Sequence, residues 1–218
     1  MLQDIFKTSI WNTSLNLDLN SLNLEIKKII EKDKGRKISN QGGYQSNDIE
    51  YKKYTQLSFL SKIIEINVKE YKKNLGLKEN FVLDNVWINV NKYKDFNISH
   101  THPNCSISGV FYIKCSKESG DIVFENSNSN IMGYVWEPDT DKYTVNTSSK
   151  WNITPQENLL LLFPAYLNHY VRPNMKKPSK YGTDPKLNVA ERKAVSKMFA
   201  DDLWNEYLKK VKPKPKKK

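Results

Sequence analysis

The chain of 218 residues is long enough for one domain with a sizeable core, and its hydrophobic content of 38%, with 11% aromatic, is on the low side but still that of a globular protein. No apolar run reaches membrane-spanning length, and two cysteines, Cys105 and Cys115, do not make a disulfide framework. Since the N-terminus also lacks the basic-then-apolar pattern of a secretory signal, we expect a cytoplasmic protein without a membrane segment.

The formal net charge of +11 raises nucleic acid as a partner. Much of this charge lies in the lysine- and proline-rich segment 209–218, which we expect to be a disordered tail. Arginine occurs only at Arg36, Arg172 and Arg192, and bidentate guanine contacts favour arginine. The sequence therefore supports nucleic-acid contact only through the basic tail.

Two helices are predicted near the N-terminus. Apolar residues at near-helical spacing predict the first from Asn20 to Lys34, with Asn20 or Ser21 as its cap. The second is predicted from Tyr54 to Leu75. The segment 38–46 between them is polar and rich in turn residues.

The pattern changes to short strands after Phe81. Strands are predicted at 82–90, 106–114, 121–125 and 158–163, with weak alternation over 134–151. Such strands between turn residues predict a sandwich or barrel, so the fold class is mainly β with N-terminal helices. We expect a helical region at 1–80 packed on a β core at 81–200, followed by a helix end and tail at 201–218.

The three histidines are the most informative residues of the chain. His100 and His102 form an H-x-H pair, and His169 follows much later. Residues i and i+2 of a strand point to the same side, so His100 and His102 are placed to reach one ion. Imidazole suits Fe, Zn, Cu and Ni, and three ligands leave coordination positions open for chemistry. The alternative is three unrelated solvent or core histidines.

Several motifs together resemble a known family. They are Trp87–Val90, His100–Asn104, Ile107–Ile113, Gly120–Phe124, Leu162–Pro164 and His169–Asn174. This set is similar to uncharacterised iron(II)- and 2-oxoglutarate-dependent oxygenases of bacteria and phages, which are relatives of the prolyl hydroxylases. Gly42–Ser46 is similar to the family's segment between its two leading helices, and the resemblance extends over residues 38–199.

The resemblance implies a double-stranded β-helix, a jelly-roll or cupin-like barrel with Fe(II) at one mouth. Its ligands would be His100, His102 and His169, with no catalytic residue beyond the metal centre. His102 stands where most of the superfamily has Asp or Glu, so the centre would be one charge unit more positive than with a carboxylate. Alternatively, His102 does not ligate, and Asp121 or Glu125 turns inward.

The resemblance also implies residues that bind 2-oxoglutarate. Arg192 matches the family's anchor for the distal carboxylate, with Ser196 on the same face of an extended segment. An apparent insertion before this segment keeps Arg172 as a second candidate for the anchor. Tyr112 matches a family tyrosine that contacts the same carboxylate, and Asn89 is a further candidate. The alternatives are an exposed helical Arg192, an ordinary barrel aromatic for Tyr112 and polar strand surface for Asn89.

The implied reaction is hydroxylation by O2 and 2-oxoglutarate, with release of succinate and CO2. Kinship with prolyl hydroxylases favours a protein or peptide side chain as substrate. Tyr134, Trp136 and Trp151 are candidates for lining its groove, and the alternative for these aromatics is core packing. The leading helices would cover the barrel or pair two subunits in a homodimer. The alternatives are a three-histidine cupin-type dioxygenase that uses no 2-oxoglutarate and a non-catalytic β-barrel binding protein.

Overall fold

Short antiparallel strands dominate the computed structural model, which describes residues 3, 5–78, 80–135 and 140–177, the side chains of 133–135 excepted. Within these residues the elements are β1 (Trp11–Ser14), α1 (Leu19–Ile30), β2 (Asn40–Gln41), β3 (Tyr44–Gln45), a 3-10 turn (Tyr51–Lys53), α2 (Thr55–Asn74), β4 (Asn89–Val90), β5 (Phe96–His100), β6 (Ile107–Phe111), β7 (Ile122–Glu125), α3 (Ser129–Val135), β8 (Lys150–Ile153), β9 (Leu159–Pro164) and β10 (His169–Val171).

The two predicted leading helices are present, with corrected ends for the first. The cap of α1 is Asp18, because its carboxylate accepts hydrogen bonds from the backbone N–H groups of Asn20 (3.0 Å) and Ser21 (3.3 Å). The prediction of Asn20 or Ser21 as cap was wrong, and the helix ends at Ile30 instead of Lys34. The second helix, α2, lies within one residue of its predicted ends.

Two antiparallel sheets enclose the core. One has three strands in the order β1-β9-β6, the other has five in the order β2-β5-β10-β7-β8, and β3 and β4 form a separate pair. Side chains from both sheets meet in one buried cluster, formed by Ile122, Phe124, Leu159, Leu161, Phe163 and Leu167. The interior between the sheets is therefore apolar, and burial of these side chains stabilises the fold.

Strand β9 is buried on both of its faces. Leu159, Leu161 and Phe163 join the cluster between the sheets, whereas Leu160 and Leu162 are buried on the other face. Trp11 of β1 lies opposite Leu162, and its indole donates a hydrogen bond to Asn67 of α2 (3.0 Å). Helix α2 therefore packs against the outer face of the three-stranded sheet.

The region before residue 81 contributes more than helices. Strand β1 pairs with β9, and β2 pairs with β5, so the N-terminal region supplies one strand to each sheet. Of the predicted strand 82–90, only Asn89–Val90 is a strand, β4. In the segment 134–151, where the sequence alternates weakly, the described residues include the end of α3 and the start of β8. No helix among the described residues is long and apolar enough to span a membrane. The predicted tail, the C-terminal helix end, Trp136 and the side chain of Tyr134 lie outside the described residues.

Candidate metal centre

The five-stranded sheet brings two of the three histidines together. His100 is the last residue of β5, and His169, the first of β10, lies directly opposite it in the antiparallel register. His102 lies two residues beyond β5, where its backbone N–H donates to the carbonyl of Ala165 (2.9 Å). The H-x-H pair therefore straddles the end of a strand, and a backbone contact to the chain that follows β9 holds its second member.

The three imidazoles form one cluster. Each offers a nitrogen, and the three nitrogens lie within 4.8 Å of one another. His102 Nε2 is 3.3 Å from His169 Nε2. Two nitrogens bound to one metal ion, each at about 2.1 Å, lie roughly 3.0 to 3.4 Å apart for octahedral to tetrahedral angles. The spacing of these two nitrogens thus matches a pair of neighbouring metal ligands.

Backbone carbonyls orient two of the rings. His100 Nδ1 donates to the carbonyl of Ile98 (2.7 Å), and His169 Nδ1 donates to that of Leu167 (2.9 Å). A carbonyl oxygen only accepts, so each Nδ1 carries the proton in the neutral ring and each Nε2 keeps its lone pair. This is the arrangement by which proteins orient metal-binding histidines.

The surroundings of His102 and His169 favour the uncharged form of these two rings. Burial, and next the charge of His100, lower the pKa of His102 to about 4. Burial also lowers the pKa of His169 to about 4, with His100 and His102 adding to the effect and the bond to Leu167 opposing it. Below His169 lie the rings of Phe163 (centroids 4.7 Å apart) and Phe124 (6.1 Å). The floor of the site is therefore apolar.

Neither candidate carboxylate joins this cluster. Glu125 accepts a hydrogen bond from Ser99 Oγ (2.6 Å) and lies 3.6 Å from Lys150 Nζ. Because Phe124 shares the face of His169, its neighbour Glu125 points to the other face of the sheet. Asp121 lies 3.8 Å from the Arg172 guanidinium. Among the described residues, the group that could hold a metal ion at this site is the three histidines alone.

Tyr112 lies inside the sandwich. Its ring packs against the buried core cluster, alongside Val110 two residues earlier. Burial raises the pKa of its hydroxyl, and the charges of Cys115 and Asp121 add to this. The phenol therefore stays protonated at neutral pH and can donate a hydrogen bond to an acceptor within the barrel.

The other described candidates for 2-oxoglutarate binding, Arg172 and Asn89, do not lie in the core as Tyr112 does. The Arg172 guanidinium contacts Asp121 and Asn152 (Nη2 to Oδ1 3.5 Å). Asn152 is in register with Val123 and Tyr170, so this contact lies on the sheet face opposite to that of His169. Asn89 is exposed on β4. Arg192 and Ser196 lie outside the described residues.

Two tryptophans border the histidines. Trp151 of β8 is opposite Phe124, which in turn is opposite His169, so Trp151 shares the face of the metal site and is 46% exposed. Trp87 packs on the ring of His102, with centroids 5.5 Å apart and an angle of 36° between the planes. Sequence reasoning missed Trp87, because its contact with His102 joins segments that no local pattern connects.

The donor set fits the metal that the family resemblance implies. Three imidazole nitrogens on one side suit iron(II) and leave the remaining positions open for small ligands. The two oriented rings present unprotonated Nε2 atoms, which is the form that binds metal. The apolar floor supplies the dry surroundings that such a centre requires.

Comparison with known proteins gives one family match and structures with a similar fold. Residues 85–181 match the family model described as "Putative 2OG-Fe(II) oxygenase". A prolyl-4-hydroxylase from Pseudomonas putida has a similar structure, with a TM-score of 0.55 and 11% identity over 78% of this chain and 87% of that one. The alpha-ketoglutarate-dependent carbocyclase SnoK from nogalamycin biosynthesis also has a TM-score of 0.55, with 9% identity over 78% of this chain and 76% of its own.

No curated protein matches the chain. The two structural neighbours confirm the predicted double-stranded β-helix, because both belong to enzymes with this fold. The matched segment contains all three clustered histidines, and it begins two residues before Trp87. Residues 85–181 are therefore similar to the 2OG-Fe(II) oxygenases, and the chain has the fold of these enzymes.

Proposed function

We propose that the protein is an iron(II)- and 2-oxoglutarate-dependent oxygenase that hydroxylates a protein or peptide side chain, with its iron held by His100, His102 and His169. The convergence of the three ring nitrogens within 4.8 Å is the observation that carries the ligand assignment. Bound iron(II) with 2-oxoglutarate supplies the oxidising chemistry, in which O2 is consumed and succinate and CO2 are released. The protein's part is to hold the ions, orient the substrate and exclude water.

The His102 imidazole takes the place of a carboxylate in this proposal. The placement of Glu125 and Asp121 away from the cluster supports it, because no acidic side chain of the described residues is in reach. With three neutral ligands the iron keeps its full double positive charge. We expect this charge to strengthen binding of the anionic 2-oxoglutarate.

For 2-oxoglutarate itself, we propose that Tyr112 donates its hydroxyl to the distal carboxylate and that Arg192 pairs with it, with Ser196 beside it. The buried, protonated phenol of Tyr112 supports its part. The contacts of Arg172 with Asp121 and Asn152 on the opposite face favour Arg192 over Arg172 as the anchor. Asn89 is exposed and is the weaker candidate for a polar contact.

Two observations support a peptide or protein as the substrate: the name of one structural neighbour and an exposed aromatic side chain beside the histidines. One structural neighbour is named a prolyl-4-hydroxylase, and a prolyl group is an amino-acid residue. The half-exposed indole of Trp151, on the same sheet face as His169, offers a flat apolar surface at the mouth. We therefore propose a peptide segment as substrate, bound across Trp151 in the cytoplasm. Nucleic-acid contact by the basic tail and a homodimer are subsidiary proposals.

An anaerobic titration of the metal-free protein tests the ligand assignment. Fe(II) is added first and 2-oxoglutarate second, and visible absorption is recorded. We expect a charge-transfer band from the chelated 2-oxo acid, its loss in His169→Ala, and weaker 2-oxoglutarate binding with intact iron binding in Arg192→Ala. Bound iron without the band would instead favour a three-histidine dioxygenase that uses no 2-oxoglutarate. A protein that binds no iron would favour a non-catalytic barrel.

A further inference from the structure

We propose that Trp87 is a positioning residue for His102, holding the third imidazole of the metal centre by ring packing. This inference rests on the proposed function, since it assigns a role toward the same ligand set. The two rings lie 5.5 Å apart between centroids and are tilted by 36°, which is within the range of favourable aromatic pairs.

The need for such a residue follows from the way the three rings are held. His100 and His169 each donate from Nδ1 to a carbonyl two residues earlier in the chain, so their orientations are fixed locally. The His102 ring has no carbonyl partner of this kind among the described residues, and its ring nitrogen Nε2 faces His169 Nε2. Its orientation therefore depends on what packs against it. These neighbours are the rings of His100 and His169, with centroids 5.1 Å away, and, from outside the cluster, the indole of Trp87.

The backbone on both sides of Trp87 is anchored. The N–H of Ile88 donates to Ser46 Oγ (2.9 Å), and the N–H of Ser46 donates to the carbonyl of Ile88 (2.9 Å). On the other side, the N–H of Ile49 donates to the carbonyl of Val86 (2.8 Å). Ser46 is fully buried, so these bonds are shielded from competition by water.

This anchoring gives the polar segment Gly42–Ser46 a structural role. Ser46, its last residue, fixes Ile88, and Ile88 is next to Trp87 in the chain. The order of contacts is then Ser46 to Ile88, Ile88 to Trp87, and Trp87 to His102. A segment far from the histidines in sequence thereby reaches the metal centre through two contacts and one peptide link.

The indole also suits the metal-bound form of His102. An imidazole that binds a metal ion carries part of the ion's positive charge, and the face of a tryptophan ring attracts positive charge. The packing of Trp87 therefore favours the bound state over the free state. We expect its loss to weaken metal binding without abolishing it.

The test measures Co(II) binding and the visible ligand-field spectrum of the Co(II) protein in a double-mutant cycle. Trp87→Leu removes the aromatic face, Trp87→Phe retains one, and each is combined with His102→Ala. Trp11→Phe is the matched control, because Trp11 packs on Tyr71 at the other sheet. Thermal unfolding of each metal-free variant shows that it is folded.

The proposal predicts that Trp87→Leu weakens Co(II) binding by about tenfold and shifts the spectrum, and that Trp87→Phe stays within about threefold of the wild type. In the His102→Ala background, Trp87→Leu should cause no further loss, since its partner ring is gone. An equal loss with and without His102, or an unchanged spectrum in folded Trp87→Leu, would overturn the role of Trp87 alone. A wild-type protein that binds no Co(II) would overturn the metal centre as well.

Discussion

His100 and His169 lie directly opposite each other on neighbouring antiparallel strands, with ring centroids 4.4 Å apart. Opposite residues in an antiparallel pair share a face, so the register of β5 against β10 decides whether the rings meet. A slip of one residue would turn one ring to the other side of the sheet. The metal site is thus a property of strand pairing as much as of residue type.

The first prediction concerns His102, the proposed ligand that stands in place of a carboxylate. Replacement by Ala should weaken Co(II) or Fe(II) binding by more than about 100-fold, because one of three ligands is lost. Replacement by Asp should retain binding within about tenfold of the wild type, since a carboxylate is the common ligand at this position of the triad. Isothermal titration of the metal-free proteins measures both. Equal metal affinity of His102→Ala and the wild type would exclude His102 as a ligand.

The second prediction uses the His102→Asp variant to measure how the charge at position 102 affects 2-oxoglutarate affinity. A carboxylate ligand lowers the net charge of the centre by one unit, which weakens its attraction for anionic 2-oxoglutarate. We expect about a tenfold rise in the 2-oxoglutarate Kd, or about 1.4 kcal/mol, at matched metal occupancy. Anaerobic titration of the iron-loaded protein gives this value. An unchanged Kd would show that the charge of the residue at position 102 does not affect the binding of 2-oxoglutarate.

The third prediction is that Tyr112 affects the binding of 2-oxoglutarate but not the binding of iron. Tyr112→Phe removes a hydroxyl donor but keeps the packing of the ring in the core. We expect a 2-oxoglutarate affinity about 10- to 150-fold weaker and an unchanged iron affinity, because a hydrogen bond to a charged group contributes about 1.5 to 3 kcal/mol. Tyr170→Phe is the matched control, since Tyr170 lies on the sheet face opposite to His169 and packs near Lys150. Equal effects of both substitutions would argue against a specific contact.

The fourth prediction concerns the close approach of the chain at Gly120. Its φ is +84°, and an added Cβ would meet the carbonyl oxygen of Arg172, which is backbone and has little freedom to move. We expect Gly120→Ala to lower the free energy of unfolding by at least about 3 kcal/mol. Gly76 has a similar φ of +72° with no atom near its added Cβ, so Gly76→Ala should lose only about 1 kcal/mol. Urea unfolding of both variants compares the clash with backbone strain alone.

The fifth prediction is a pH dependence set by Asp33. Its side chain accepts hydrogen bonds from Asn47, Tyr44 and the N–H of Gly35, and these lower the pKa of the carboxyl, with Asn47 as the largest cause. A lowered pKa means that stability is present above the unfolded pKa of about 3.9 and is lost as the pH falls through the folded value.

Asp33→Asn should therefore be less stable than the wild type near neutral pH, and this difference should shrink as the pH falls below about 4. Urea unfolding at a series of pH values measures it, with circular dichroism confirming a folded start at each pH. A difference that is independent of pH would show that the effect comes from side-chain shape and not from the carboxylate charge.

The clustering of the three histidines was more predictable than the strands around them. Histidine is rare in this chain, and two histidines at i and i+2 carry directional information without any knowledge of the fold. Strand β1 gave no comparable signal, because its pairing with Leu159–Leu162 depends on residues far along the chain. The inward or outward choice for Glu125 was open in the sequence and is decided by the register of Phe124 with His169.

The position of β9 between β1 and β6 also has a kinetic consequence. Its partners are residues 11–14 and 107–111, so the three-stranded sheet is complete only after residue 164 has been made. Until β9 has been made, β1 and β6 lack the strand with which both of them pair. His169 follows β9 by five residues. Long-range pairing of this kind folds slowly. During synthesis, the unpaired strands are therefore open to aggregation until shortly before His169 is added to the chain.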